Sequence, residues 1–398
     1  MPSISQRALA LPASPIRKLV PFADSAKKRG IKVYHLNIGQ PDIETPPSFM
    51  QAIRETPIKV LEYSHSAGIE SFRSKIVDYY QRWNLPLTVD QVIVTNGASE
   101  AISFACSAML DPADEIIIPE PFYANYLSFA MGSNGVTVPV SSRIEDNFAL
   151  PEISEFESRI SSRTKAIMIC NPSNPTGILY PQAALEKLGA IVRKYNLFLI
   201  ADEVYREFNY GRETFYSALA LAGMEENVVV VDSISKRFSA CGARIGCVIS
   251  RNGVLMQSIM KMAQARLSPP TLGQIGASAV YGLGQEYYGA IIKEYSHRRD
   301  ILKSALDQMP GVLCPQVEGA FYAMVRLPVE DSDHFCQWML QEFSHQGATV
   351  MMAPGSGFYS TAGAGKNEVR IAYVLNTDDL QRAMECLAAG LRAYAGQS

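Results

Sequence analysis

Residues 91–110 read QVIVTNGASEAISFACSAML. The first part is a short apolar, β-branched run, Val92-Ile93-Val94-Thr95, closed by Asn96-Gly97. The second part spaces its apolar residues with a helical period, and Ser99 stands at its start, where a serine can cap. Strand, glycine turn and helix make one βα unit. The unit recurs. EIIIPEP (115–121), AIMICNP (166–172), LFLIADE (197–203), VVVVDS (228–233) and RIGCVIS (244–250) each read as buried strands. Helical patterns such as PQAALEKLGAIVRKYN (181–196) lie between most pairs. Near-continuous apolar strands alternating with helices predict an α/β fold, a three-layer α/β/α large domain around a mostly parallel sheet.

The ends of the chain are patterned differently. QEYYGAIIKEYSHRRDILKSALDQM (285–309) is one long amphipathic helix. It leads to short strands in GAFYAMVRL (319–327) and VRIAYV (369–374), then to a last helix, DDLQRAMECLAAGLRAYAG (378–396). Thr377 is its expected N-cap, with two acids in the first turn. The organisation expected is a large domain over 49–285 and a smaller α+β domain built from both termini, 1–48 and 286–398.

Bulk composition removes several function classes. The chain has 398 residues, 47% hydrophobic and 19% charged, with a net charge of −3. No basic tract exists, so the electrostatic footprint of a nucleic-acid binder is missing. No apolar stretch has the length of a membrane span, and ALALPA (8–13) is too short for a signal h-region. The seven cysteines are scattered without a CxxC pair, which fits reduced thiols and a cytoplasmic location. The five histidines show no metal-ligand spacing, so no metal site is expected.

In open parallel sheets ligands bind outside the carboxyl ends of the strands. Those ends carry Asn96-Gly97-Ala98-Ser99, then Pro119 to Tyr123, then Asn171-Pro172-Ser173-Asn174-Pro175-Thr176-Gly177, then Asp202-Glu203-Val204-Tyr205, then Ser233-Ile234-Ser235-Lys236. Taken singly, each has an ordinary explanation: a turn, a cap, a solvated acid, a rim aromatic, a surface lysine. Together they place an anion nest, an aromatic ring, an amide, a carboxylate, a phenol and an amine on one rim. Pyridoxal phosphate needs that set: an amine for a Schiff base, an acid for its ring nitrogen and an anion site. Lys236 is the expected imine former and Asp202 the partner of the pyridine nitrogen. The helix start at Gly97, Ala98 and Ser99 offers backbone N–H groups and a positive dipole end to the phosphate. Ser233, Ser235 and Arg244 complete the cradle, the arginine by a bidentate contact. Tyr123 can stack on the ring. Asn174 and Tyr205 can hydrogen-bond its hydroxylate and so lower the proton affinity of the imine.

With these residues in place, the sequence resembles the fold-type I pyridoxal-phosphate aminotransferases of the aspartate aminotransferase family (class I and II). NIGQPD (37–42), YSHSAG (63–68), NPSNPTG, ADEVY, SISK with an arginine eight residues on, GAFYA and VRIAY appear in family order over nearly the whole chain. The resemblance implies an enzyme that moves an amino group from an L-amino acid to a 2-oxo acid by a ping-pong mechanism, aspartate and 2-oxoglutarate being one candidate pair. It implies that Arg370 grips the substrate α-carboxylate, with help from Asn174 and the backbone of Gly39. It implies that Tyr63 reaches the phosphate of a neighbouring subunit, hence a homodimer with shared active sites. It further implies that Lys236, once displaced, acts as general acid and base, with Asp202 and Tyr205 as the other catalytic residues through their contacts to the cofactor ring, and that the small domain closes over the substrate. One departure stands out. The bacterial aspartate-using branch with PPAG in place of SHSAG usually has a lysine in the phosphate loop to read the distal carboxylate, and here that position is Ser99. Another basic group, such as Arg17 near the entrance, could substitute.

Two weaker motifs are set aside. GAGKN (363–367) lacks both the first glycine and the Ser/Thr of a P-loop, and GLGQEYYG (282–289) misses the dinucleotide spacing and has no strand before it. Two other functions compete: a carbon–sulfur lyase or synthase on the same fold and cofactor, and a non-catalytic effector-sensing domain. The absence of a DNA-binding module and the filled catalytic positions argue against the second.

Overall fold

The computed structural model describes residues 2–211 and 213–396. Among them lie twelve strands: β1 (Lys32–His35), β2 (Val92–Thr95), β3 (Glu115–Glu120), β4 (Val136–Ser141), β5 (Thr164–Cys170), β6 (Phe198–Asp202), β7 (Val228–Ser233), β8 (Gly246–Ser250), β9 (Tyr322–Arg326), β10 (Ala348–Met351), β11 (Ala353–Pro354) and β12 (Glu368–Ala372). Seven of them form one sheet in the order β2-β8-β7-β6-β5-β3-β4. Pairing is parallel from β7 to β4, while β8 runs antiparallel to both of its neighbours, β7 and β2. The carboxyl ends of β2, β3, β5, β6 and β7 therefore share one rim, and β8 starts there.

The apolar runs are continuous because both faces of this sheet are covered. Val229, Val231, Ile200, Ala166 and Met168 belong to one hydrophobic core, and the alternate residues Val228, Val230, Leu199, Ala201, Ile167 and Ile169 to another. The helix Gly97–Met109 packs Ala101, Ile102, Ala105 and Cys106 into the first. The helix Gln182–Lys194 packs Leu185, Leu188, Ile191 and Val192 into the second. That is the three-layer α/β/α arrangement expected.

Three differences from the sequence-based expectation have local causes. The sequence carries no clear strand signal for β4. This edge strand has a proline at 139 and mostly partial exposure, so it lacks the apolar run that marks its neighbours. The run RIGCVIS is strand only from Gly246, because Arg244 takes the left-handed conformation at φ +55°. The last helix begins at Thr377 but its cap is Asn376, whose side chain accepts a bond from Asp379 N at 3.0 Å.

Outside the large sheet, β1 pairs in parallel with β10, and β9, β12 and β11 form an antiparallel sheet. The long helix Gln285–Asp307 packs against Thr377–Ala395. The first hydrophobic core continues from the large sheet into these elements through Tyr322, Val325, Ile371 and Leu387.

Candidate active site

The turn after β7 is built to aim one side chain. Asp232, the penultimate residue of the strand, binds Arg237 through both carboxylate oxygens, at 2.9 and 2.7 Å, with neither side chain exposed. Tyr80 donates to the same carboxylate at 3.1 Å, and Ser233 N donates to it at 2.7 Å. The Tyr79 ring lies 4.3 Å from the Arg237 guanidinium. This buried clamp closes the short helix Ile234–Arg237, which Ser233 caps by accepting from Ser235 N at 3.0 Å. Arg237 points into the core, and its neighbour Lys236 points into a cavity, where its Nζ donates to Gly39 O at 2.8 Å.

The chain then reverses into antiparallel β8. Gly246 pairs with both Ser233 and Thr95, so the residue two before it lands on the rim between the ends of β7 and β2. Arg244 donates from Nη2 to Asn96 O and from Nη1 to Cys241 O, each at 3.1 Å. Two glycines permit this. A Cβ on Gly97 would sit 2.3 Å from Arg244 Nη2, and one on Gly246 would sit 2.5 Å from the Gly97 carbonyl carbon. The guanidinium therefore stands beside the N-terminus of the helix Gly97–Met109, and the hydroxyls of Ser233 and Ser235, 2.7 Å apart, line the same cavity. Positive charge, a helix N-terminus and hydroxyl donors form an anion cradle.

At the end of β6, Asp202 is buried and accepts from Tyr126 at 2.6 Å and from Val204 N at 3.3 Å. Burial pushes its carboxyl up to about 6, against the pull of those two bonds. A buried carboxylate so placed is stabilised by any cation or N–H group brought to it. Tyr205 shares a 2.9 Å bond with Tyr322. Arg370, on β12, is almost wholly buried between the rings of Tyr322 and Phe358. It donates from Nη1 to Asn174 Oδ1 at 2.9 Å and from Nη2 to Asn37 O at 2.5 Å, while its Nε has no partner. Ser233, Ser235, Lys236, Arg244, Asp202, Tyr205, Tyr322, Asn174 and Arg370 line one cavity of about 560 Å³. The volume, the anion cradle at one end, the amine and buried carboxylate across it, and the guanidinium beyond fit a phosphorylated pyridine aldehyde together with a small carboxylic acid. A larger groove of about 800 Å³ between the helices Gln285–Asp307 and Thr377–Ala395 offers no comparable set.

The sequence family described as aminotransferase class I and II matches residues 31–387. The chain belongs to this family. An aspartate aminotransferase of Pyrococcus horikoshii is 31% identical, covering 98% of this chain and 97% of that protein. One of Bacillus subtilis is 29% identical over 96% of this chain and 97% of its own length. The crystal structure of an aspartate aminotransferase from Thermotoga maritima superimposes with a TM-score of 0.90 at 28% identity, over 98% of this chain and all of that one. The protein is thus a pyridoxal-phosphate-dependent aminotransferase of fold type I.

In this aminotransferase, the expected residues Gly39, Ala98, Ser99, Tyr123, Asn174, Asp202, Tyr205, Ser233, Ser235, Lys236, Arg244 and Arg370 all line the one cavity. Gly97 stands behind Arg244. Tyr63 does not join them: it is 78% exposed, in a segment without regular structure that follows the exposed Ile58, Val60 and Leu61. Sequence reasoning missed the supports. Tyr126 carried no signal beyond a helical apolar position. Asn37 and Tyr322 sit inside the motifs NIGQPD and GAFYA, but their contacts to Arg370 cross more than forty residues of chain. The pair Asp232 and Arg237 flanks SISK, and an acid closing a valine run was a signal available.

Proposed function

We propose that Lys236 is the amine through which this aminotransferase holds its cofactor and the base that moves the substrate α-proton. Pyridoxal phosphate, when bound, supplies an aldehyde that condenses with amines and a protonated ring that takes up the electron pair of a Cα–H bond. Asp202 holds a proton at the ring nitrogen. Ser233, Ser235, Arg244 and the backbone N–H groups of Gly97, Ala98 and Ser99 hold the phosphate. Tyr123 would stack on the ring, and Asn174 and Tyr205 would hydrogen-bond its hydroxyl oxygen. Arg370 binds the substrate α-carboxylate with Asn174 and Gly39 beside it, and its partnerless Nε supports that role. With the cofactor bound, the Lys236 amine would serve as the base that takes up and returns the substrate α-proton. The observation that carries this reading is the convergence of the Lys236 amine, the buried Asp202 carboxyl and the Arg244 and Arg370 guanidinium groups on a single cavity.

The reaction runs between an L-amino acid and a 2-oxo acid, with a dicarboxylic 2-oxo acid as acceptor and aspartate with 2-oxoglutarate as the first pair to try. Residues 49–285 act as the cofactor domain, and 1–48 with 286–398 as a small domain that closes over the substrate. Two copies share their sites, each lending Tyr63 to the other, which accounts for an exposed tyrosine beside exposed apolar side chains. Unpaired thiols, six of the seven buried, fit a cytoplasmic enzyme.

The test is a half-reaction. Adding an amino acid to the cofactor-loaded protein is expected to bleach the visible absorbance of the bound aldehyde form and release one 2-oxo acid per site. Release of sulfide, or of ammonia with pyruvate, would overturn amino transfer. Lys236→Ala is expected to remove both turnover and that absorbance, and turnover surviving the change would overturn the role given to Lys236.

A further inference from the structure

The cavity carries an imbalance of charge. Four cationic side chains line it, Arg17, Lys236, Arg244 and Arg370, against one carboxylate, Asp202. On the site assignment proposed above, Arg244 faces the phosphate, Lys236 the aldehyde, Asp202 the ring nitrogen and Arg370 the substrate α-carboxylate. Arg17 is left over. No carboxylate among the described residues pairs with it, and it remains exposed to the cavity mouth.

The backbone that carries Arg17 is anchored through its neighbours, so the side chain extends from a fixed segment of chain. The residue before it, Ile16, offers its carbonyl to Asn37 Nδ2 at 2.8 Å. The carbonyl of the same Asn37 receives Arg370 Nη2. One asparagine thus spaces the two guanidinium-bearing segments. Pro15 fills the space over Gly357, where a Cβ would lie 2.2 Å from the proline Cβ. Lys18 pairs with Asp333, whose other oxygen accepts from Ser356 at 2.5 Å. Arg17 N closes the turn on Ser14 O at 3.1 Å. Pro15, the Ile16 carbonyl and Lys18 are held by protein, while Ser14, Ile16 and Arg17 line the cavity, and Arg17 is the charged one among them. Burial pushes the Tyr123 phenol up to about 12, and both Arg370 and Arg17 act on it in the opposite sense. Arg17, Tyr123 and Arg370 line the same cavity.

We infer that Arg17 is the specificity-determining residue of this enzyme: it binds the second carboxylate of a dicarboxylic amino acid or 2-oxo acid whose α-carboxylate is on Arg370. Reading of the side chain is thereby moved from the phosphate loop, where Ser99 has no charge, to the N-terminal segment of the same chain. The inference rests on the proposed placement of the cofactor and of Arg370, and it fails separately from it.

The test compares a dicarboxylate with a monocarboxylate on the cofactor-loaded enzyme. Binding of maleate and of butyrate, neither of which has an amine to react, is measured by calorimetry. Half-reaction rates are measured with aspartate and with alanine. The wild type is expected to favour maleate and aspartate. Arg17→Gln is expected to weaken maleate binding and to lower the aspartate kcat/KM by about 10- to 150-fold, the range for losing one charge-assisted bond. The losses toward butyrate and alanine are expected to be several-fold smaller. Arg17→Lys, which keeps the charge without the fork, is expected to recover part of the preference. Equal losses for both ligand classes, no loss for either, or a wild type without preference for two carboxylates would overturn the inference. Transfer from alanine at full rate beside any of those results would leave the proposed function standing. Failure of every amino acid to react would overturn the proposed function instead.

Discussion

Asp202 concentrates the conflict in this site. Its carboxyl is buried against Tyr126 and rises to about 6 from an ordinary value near 4. The folded protein without cofactor therefore binds a proton there that the unfolded chain releases between about pH 4 and pH 6. Stability from this group is complete below about pH 4 and is lost as pH rises to about 6. Its full loss is about 3 kcal/mol. Asp202→Asn removes the titration. The stability of the cofactor-free wild type minus that of Asp202→Asn is expected to fall across that window and to stay flat above it, as followed by urea unfolding at a series of pH values. Flat behaviour throughout would contradict the burial cause. On the role proposed for Asp202, the same substitution is expected to cost on the order of 10^3-fold in turnover, because an amide could not hold a ring-nitrogen proton by charge. A milder change is informative too. Tyr126→Phe removes a bond that favours the carboxylate, so the same fall in stability is expected to extend to higher pH.

At the scale of elements, function depends on how closely two backbones approach. The N-terminus of the helix Gly97–Met109 and the start of β8 touch without side chains between them, because residue 246 is glycine. Gly246→Ala is expected to push the helix start away from Arg244 and to weaken cofactor binding by at least about tenfold, with folding retained, since it widens the anion cradle. Titration of the cofactor into cofactor-free protein checks this, and unaltered affinity would contradict the cradle geometry. The Asp232–Arg237 clamp makes a different prediction. Arg237→Met leaves a buried carboxylate without its cation, which costs about 3–5 kcal/mol. The double change Asp232→Leu with Arg237→Met is expected to recover much of that loss in urea unfolding while leaving the Lys236 turn less well aimed, seen as a lower kcat with little change in KM. Much of this was legible in sequence, for a physical reason. Strands covered on both faces are written as unbroken apolar runs, and the residue after each run is where the rim chemistry sits. Strand direction is not written in such a run, which is why antiparallel β8 read like its parallel neighbours and why the arrival of Arg244 beside Asn96 had to come from a motif. An edge strand with one wet face, β4, leaves no run to read. Supports such as Tyr126 and Tyr322 look like core aromatics because that is what most of their surface is.

For the whole molecule, the resemblance that pointed to a homodimer and the structure of one chain meet at Tyr63. Its side chain faces solvent on the single chain, away from the cavity that the other expected cofactor residues line. Ile58, Val60 and Leu61 are exposed on the same segment, an apolar stretch that a second copy can cover. If each copy lends Tyr63 to the other, two damaged chains can complement. Lys236→Ala destroys the site of its own chain but still presents an intact Tyr63. Tyr63→Ala weakens the site of its neighbour but keeps Lys236. A mixed dimer then contains one doubly damaged site and one with both wild-type residues. After unfolding and refolding an equal mixture, half of the molecules are mixed dimers, so about one quarter of all sites are expected to regain wild-type composition. Activity is therefore expected to rise above the average of the two separately refolded variants, toward about a quarter of the wild-type value plus the residual contribution of Tyr63→Ala dimers. Activity at the simple average would mean that Tyr63 serves its own chain or none, and a monomer by sedimentation would remove the shared site altogether.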